Sequence, residues 1–165
     1  MPAAAVPPAA ERPDRARPAA NAVVGVGVVV VDADGRVLLG QAHDGRWELP
    51  GGKTDPGEGF AEAAARELAE ETSLLAEPSA VRVLAVLVGA KAGVVRLTAA
   101  VVTDSAAGAP RVTEPDKILR WSWFEPSAIP TGLYGPSATV LHAWRPELGL
   151  DVAHVPSHVY RLADA

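Results

Sequence analysis

Three carboxylates crowd into the stretch Arg66-Glu67-Leu68-Ala69-Glu70-Glu71. On a helix, at 100° per residue, Glu67, Glu70 and Glu71 fall within an arc of about 100°. Like charges at i,i+3 and i,i+4 repel by roughly a few tenths of a kcal/mol each, and a solvated helix face more naturally alternates its signs. The arrangement makes sense if a cation sits against that face. A donor set of oxygens alone, with no histidine or thiolate beside it, favours Mg²⁺ or Mn²⁺ over zinc. Arg66 lies four residues from both Glu62 and Glu70 and next to Glu67 in the chain, so it can hold a carboxylate in one orientation. Upstream, Leu49-Pro50-Gly51-Gly52 closes an expected strand with two residues that let the backbone approach a ligand or metal closely.

These groups need elements to position them. Residues 58–75 read as a helix, with Phe60, Ala64 and Leu68 as its apolar stripe, Ala61 and Ala65 flanking it, and Pro78 closing the segment. Val23 to Val31 is rich in β-branched residues and reads as a strand, and the Asp34-Gly35 turn after it predicts a hairpin with Val37-Leu38-Leu39. Val81–Val88 and Val94–Val102 read as two more strands joined across residues 89–93. Ile118–Phe124 is expected to be the last strand, with Trp121 and Trp123 in the core. A short helix over Ser137–Trp144 stops before Pro146. Strands interleaved with helices predict an α/β (α+β) fold, a mixed β-sheet sandwiched between helices.

At 165 residues the chain predicts one domain. Residues 1–20 read as a disordered Pro/Ala-rich tail, with prolines at 2, 7, 8, 13 and 18 and no apolar periodicity. The domain proper is expected over 21–146, followed by an extension, 147–165, whose sequence does not specify a structure. The uncharged run 21–31 follows three arginines but ends in Asp-Ala-Asp without a small-residue cleavage pattern, and it is too short to span a bilayer; a secretory signal and a membrane anchor are both rejected. Cytoplasmic location is the expectation. Nearly half the residues are hydrophobic (48%) and mean hydropathy is +0.13, which rules out wholesale disorder. Cysteine is absent, so disulfide scaffolding, thiolate zinc sites and cysteine nucleophiles are excluded. A net charge of −5 argues against a nucleic-acid duplex as partner. Residues 44–77 hold nine acids against Arg46, Lys53 and Arg66, so this stretch alone carries the acidic excess. The four histidines show no ligand spacing, and Gly-Gly-Lys-Thr lacks the upstream glycine of a phosphate-binding P-loop.

The motif residues carry a resemblance. Gly52, five residues, Glu58, seven residues, then Arg66-Glu67-Leu68-Ala69-Glu70-Glu71-Thr72-Ser73-Leu74 resembles the box of the Nudix hydrolase superfamily, preceded by its Leu-Pro-Gly-Gly run. Ser73 departs from the pattern, which has glycine there to permit a left-handed helix end. The downstream Glu114-Pro115-Asp116-Lys117, Trp121-Ser122-Trp123-Phe124 and Ile129-Pro130 resemble a branch of nucleoside triphosphate diphosphatases that includes thiopurine-nucleotide and dihydroneopterin-triphosphate hydrolysers.

The resemblance covers about residues 22–146 and implies the Nudix fold and Mg²⁺-dependent cleavage of a nucleoside triphosphate to the monophosphate and pyrophosphate. It implies Glu67 and Glu71 as principal metal ligands, Glu70 as a further ligand or the base that orients water, and the Gly51 carbonyl as a backbone ligand. Arg66 would orient Glu67, with Glu58 tied to Arg66. Glu48, Leu49, Gly52, Lys53, Tyr134 and Glu114 would face the substrate. Lys53 reads equally as a solvated loop cation, Glu114 as a partner of Arg111, and Glu48 as a partner of Arg46 pointing outward. Gly135 would leave one wall beside Tyr134 open. Dimers are common in the family, so a small-molecule nucleotide substrate and a homodimer are the expected partners. A pyrophosphatase of ADP-ribose or a nucleotide sugar is the alternative reaction, and a non-catalytic nucleotide sensor the alternative class.

Overall fold

The computed structural model describes residues 20–155 and 157–163. The expected N-terminal tail lies outside these apart from Ala20. The strands are β1 (Ala22–Val30), β2 (Val37–Ala42), β3 (Trp47–Glu48), β4 (Gly51–Lys53), β5 (Arg82–Lys91), β6 (Val94–Thr103), β7 (Ile118–Phe124) and β8 (His158–Arg161). The helices are α1 (Phe60–Thr72), between β4 and β5, and α2 (Gly135–Trp144), between β7 and β8. One sheet runs β4-β1-β6-β5-β8 and the other β3-β2-β7. In the first, β1 and β6 are parallel and the other pairs antiparallel. It is the mixed sheet expected, with a small antiparallel sheet beside it.

The valine run of β1 is explained by what lies on its two sides. Val29 joins Val140 and Leu141 of α2 in one apolar cluster. Val28 and Val30 join Ala64 and Leu68 of α1 in another. A strand buried on both faces reads as continuous apolar sequence instead of alternating, and these valines are at most 1% exposed. Trp121 and Trp123 are half-buried against the α1-side cluster. Among the described residues no helix is long and apolar enough to cross a membrane.

Two expectations need correction. The turn at Asp34-Gly35 exists, with the Asp32 carboxylate accepting the Asp34 and Arg36 N–H groups. Yet β1 and β2 do not form a hairpin. Both edges of β1 are taken, by β4 and β6, so the chain leaves the turn for the second sheet after a single bridge between Val31 and Val37. Nor is Ile118–Phe124 the last strand: within 147–165, for which no structure was specified, His158–Arg161 forms β8 against β5, and the Arg161 guanidinium donates to the Ala143 carbonyl at 2.7 Å.

Candidate active site

The glutamate face of α1 meets β4. This short strand pairs with β1 in the register Gly27↔Gly51 and Gly25↔Lys53, which presents the Gly51 N–H to the Glu71 carboxylate at 2.9 Å. Gly51 has φ +153, and a Cβ on it would meet the Val26 carbonyl. A Cβ on Gly52 would meet the Glu67 carboxylate. The two glycines are therefore what lets the helix carboxylates touch this strand. At its far end α1 closes at Ser73 with φ 64 and ψ 6, the left-handed conformation that glycine favours, and the Ser73 N–H donates to the Ala69 carbonyl.

Arg66 organises the carboxylates. Its Nε and Nη2 donate to the two oxygens of Glu58 at 2.7 and 2.9 Å. Nη1 donates to Glu67 at 2.9 Å and to Glu70 at 3.3 Å, and Nη2 also reaches the Lys53 carbonyl at 2.9 Å. The paired guanidinium holds Glu58 down to a pKa of about 2. The i,i+4 bond to Glu62 that spacing allowed is not among Arg66's bonds. Glu67 is the most enclosed of Arg66's partners at 13% side-chain exposure, and Glu70 is exposed at 61%.

Glu71 is pushed up to a pKa of about 8, first by burial and then by the charges of Glu67, Glu114 and Glu48, against the opposing Gly51 N–H bond. The charge of Glu114, on the loop before β7, is thus felt at Glu71. The ion-pair partner of Glu114 is Lys117 at 2.7 Å, not Arg111. The same loop is fastened to α1 by Thr113, whose hydroxyl donates to the Glu70 carbonyl at 2.6 Å.

Beside the glutamates opens a cavity of about 290 Å³ lined by Glu48, Leu49, Gly51, Gly52, Lys53, Tyr134, Ser137 and Val140 among others. Tyr134 is brought there by its N–H, which donates to the Trp47 carbonyl at 2.8 Å, next to Glu48. Glu48 does not pair with Arg46. Arg46 forms two bonds to one oxygen of Asp44, at 2.8 and 2.6 Å. Glu48 is left half-buried in the cavity wall, its pKa raised first by burial and then by Asp44. Gly135 gives no opening, because Val155 occupies the space a side chain there would need, 2.8 Å from the position of its Cβ. Two groups had gone unrecognised. Ser137 accepts the Leu49 N–H at 3.0 Å. Arg96 enters the cavity from β6, where strand alternation with Thr98 was the only available signal.

The donor chemistry suits a hard divalent cation: carboxylates share one helix face, and the burial and like charges that raise Glu71 are the ones a cation would offset. Among the described residues no three such groups are already drawn around one point. Arg66 instead engages a single oxygen each of Glu67 and Glu70, and the Gly51 N–H a single oxygen of Glu71, which leaves the other oxygen of each for a cation.

Comparison with known proteins follows the same line. A Nudix domain model matches residues 22–144. An RNA pyrophosphohydrolase of Novosphingobium aromaticivorans is 45% identical over 56 residues, 32% of this chain and 35% of that protein. A Bacillus subtilis protein with the provisional name 8-oxo-dGTP diphosphatase is 46% identical over 57 residues, 34% of this chain and 38% of its own. The matched stretch thus spans just over a third of the length of either curated relative. Among solved structures, a MutT Nudix hydrolase from Burkholderia pseudomallei aligns with a TM-score of 0.67 at 31% identity, over 75% of this chain and 98% of that one. With the glutamate helix, its Gly-Gly strand and the two-sheet architecture all in place, the chain belongs to the Nudix family.

Proposed function

We propose that the protein hydrolyses a phosphoanhydride of a nucleotide, taking a nucleoside triphosphate to the monophosphate and pyrophosphate with Mg²⁺ or Mn²⁺ as cofactor. The observation that carries this reading is the Arg66-pinned carboxylate face lying against Gly51-Gly52 at the mouth of the Glu48–Tyr134 cavity. The names of the curated relatives, a pyrophosphohydrolase and a diphosphatase, agree with that chemistry.

A divalent cation supplies charge neutralisation at the phosphate oxygens and a more acidic water. The remaining work belongs to the chain and is mostly positioning and electrostatics. Glu67 and Glu71 would hold the cation, with the Gly51 carbonyl as a further ligand. Glu70, exposed and on the longest of Arg66's bonds to Glu58, Glu67 and Glu70, is free to serve as a further ligand or to take the proton of the attacking water. Arg66 keeps Glu67 oriented and Glu58 keeps Arg66 oriented. Lys53 and Glu114 flank the phosphates, and Leu49 and Tyr134 enclose the nucleoside.

The test is a panel of nucleoside triphosphates and nucleotide sugars with identification of the phosphate products. Pyrophosphate release from a triphosphate is expected. Two phosphomonoesters from a sugar nucleotide would replace this reading with the alternative pyrophosphatase. Binding without any turnover would make the protein a sensor. Glu67→Gln is expected to keep the fold and lose about 10²–10³ in rate.

A further inference from the structure

The cleft does not end at Tyr134. The first cavity touches the glutamate face through Gly51 and Gly52 and shares Lys91, Arg96, Thr98 and Tyr134 with a second cavity of about 560 Å³. No wall of the second cavity comes from α1 or β4. A ligand filling both therefore runs in a fixed order: phosphates at the glutamates, a middle group in the first cavity, a far group in the second.

The far cavity has a sign. Arg46, Lys91, Arg96 and His154 line it, and no Asp or Glu does among the described residues. Two of these cations are already answered: Arg46 by Asp44 at 2.6 Å, and His154, when protonated, by Asp151 at 3.8 Å. Arg96 is different. It is half-buried, and its bonds go to neutral hydroxyls, Nε to Thr98 at 3.3 Å and Nη1 to Tyr134 at 3.2 Å. Among the described residues neither Arg96 nor Lys91 has a carboxylate within ion-pair distance. A guanidinium drawn out of water and met only by hydroxyls and, at 6.0 Å, the Tyr134 ring is incompletely compensated, and an anion completes it.

The far wall is also an addition to the family domain, whose match stops at residue 144. His154, Val155 and Ser157 close the cavity, Val155 packing on Gly135. β8 then anchors the segment on β5.

We propose that the far cavity is a subsite for a second phosphoryl group, carried on the 3′ side of the nucleotide, with Arg96 as its charged contact and Lys91 as a supporting cation. This rests on the nucleotide reading of the first cavity. With the 5′-phosphates at the glutamates and the nucleoside between, the 3′ position is where an anion can point away from the cleaved bond. A plain triphosphate, a nucleotide sugar and a dinucleoside polyphosphate all lack an anion there.

The test is calorimetric binding to the full chain with Mg²⁺ of guanosine 5′-monophosphate, guanosine 3′,5′-bisphosphate and the 5′-phosphorylated guanosine dinucleotide. At least one 3′-phosphoryl ligand is expected to bind about tenfold or more tighter than the monophosphate, the size of a charge-assisted hydrogen bond. The second and third ligands separate a 3′ monoester from a 3′ diester. Arg96→Gln is expected to bring the ratio toward unity, Arg96→Lys to restore part of it, and exposed Lys91→Gln to lower it without touching the core. A ratio near unity in the wild type overturns the subsite. Turnover of the corresponding triphosphates, followed in parallel, keeps the two ideas apart. Hydrolysis with no 3′ preference removes the subsite and leaves the reaction. A tenfold binding ratio without hydrolysis supports the subsite and removes the reaction.

Discussion

The Arg66 guanidinium and the Glu58 carboxylate meet side-on, Nε to one oxygen at 2.7 Å and Nη2 to the other at 2.9 Å. This bidentate pair leaves Nη1 for Glu67 and Glu70, so the direction in which the helix carboxylates face is set from outside the helix, by the loop that precedes it.

Glu58→Gln keeps the shape of that partner but removes its charge. Residue 58 then holds Arg66 by one weaker bond, and a loss of about 10–100-fold in activity or Mg²⁺ affinity is expected, as for other groups that orient a ligand. A shift in the Mg²⁺ concentration for half-maximal rate would distinguish positioning from a general loss of fold. Because Arg66 holds Glu58 down to a pKa of about 2, the pair's contribution to stability is present above the ordinary carboxylate value and lost as pH falls toward 2. Glu58→Gln should flatten that acid limb.

Glu71 titrates in the other direction. In the metal-free protein its pKa stands at about 8 against 4.5 for the unfolded chain. The folded state therefore binds the extra proton between those values, and stability is fully present below pH 4.5 and declines as pH rises through 8. Melting temperatures in a chelator should fall across this window in the wild type and stay flatter in Glu71→Gln. Mg²⁺ needs the ionised carboxylate, so it should raise the melting temperature more at pH 8.5 than at pH 6. An equal shift at both values would count against Glu71 as a ligand.

What could be read in advance depended on range. The alignment of Glu67, Glu70 and Glu71 and the reach of Arg66 to Glu70 are matters of local helix geometry, and helical period places them; the left-handed close at Ser73 was legible only through the family resemblance, since periodicity ran the helix on to residue 75. The doubly buried β1 announced itself in its valines. The failed hairpin did not, because Asp34-Gly35 is a sound turn and only β4 and β6, arriving later in the chain, fill the edges β2 would have used. Gly135 looked like an opening because Val155, its cover, lies twenty residues on. Arg96 carried no motif at all. Its meaning comes from the cavity that β6, α2 and the C-terminal segment build together.

Ser73 offers a clean stability test. A residue with a Cβ at φ 64 is strained relative to glycine, while glycine adds entropy to the unfolded chain. The first effect is the larger, and Ser73→Gly should stabilise by about 0.5–1 kcal/mol, or roughly 1–4 °C in Tm. The side chain touches none of the glutamates' bonding partners, so kcat/KM should be unchanged. Destabilisation by Ser73→Gly on denaturant melting would show that the serine makes a contact that outweighs its backbone strain.

Base selection turns on Glu48. Arg46 is engaged by Asp44, which leaves the Glu48 carboxylate in the cavity wall beside Tyr134, with no ion-pair partner among the described residues. When ionised it only accepts hydrogen bonds, so it favours guanine, whose ring N–H and amino group can donate side by side to one carboxylate, over thymine, whose single ring N–H sits between two carbonyls that a carboxylate repels. Tyr134 supplies a ring on which the base can stack. A site built to accept two such bonds disfavours a base that offers one donor between two acceptors, and a preference of about tenfold or more in kcat/KM for dGTP over dTTP is expected. Glu48→Gln can both donate and accept, so it should erase most of the preference while leaving dTTP hydrolysis at least as fast. Burial, then the charge of Asp44, holds the Glu48 pKa above its ordinary value. The wild-type preference should therefore grow as pH rises and the carboxylate ionises, and that pH dependence should vanish in Glu48→Gln. An unchanged dGTP/dTTP ratio in the variant, or a wild type indifferent to the base, would mean that Glu48 does not read the base.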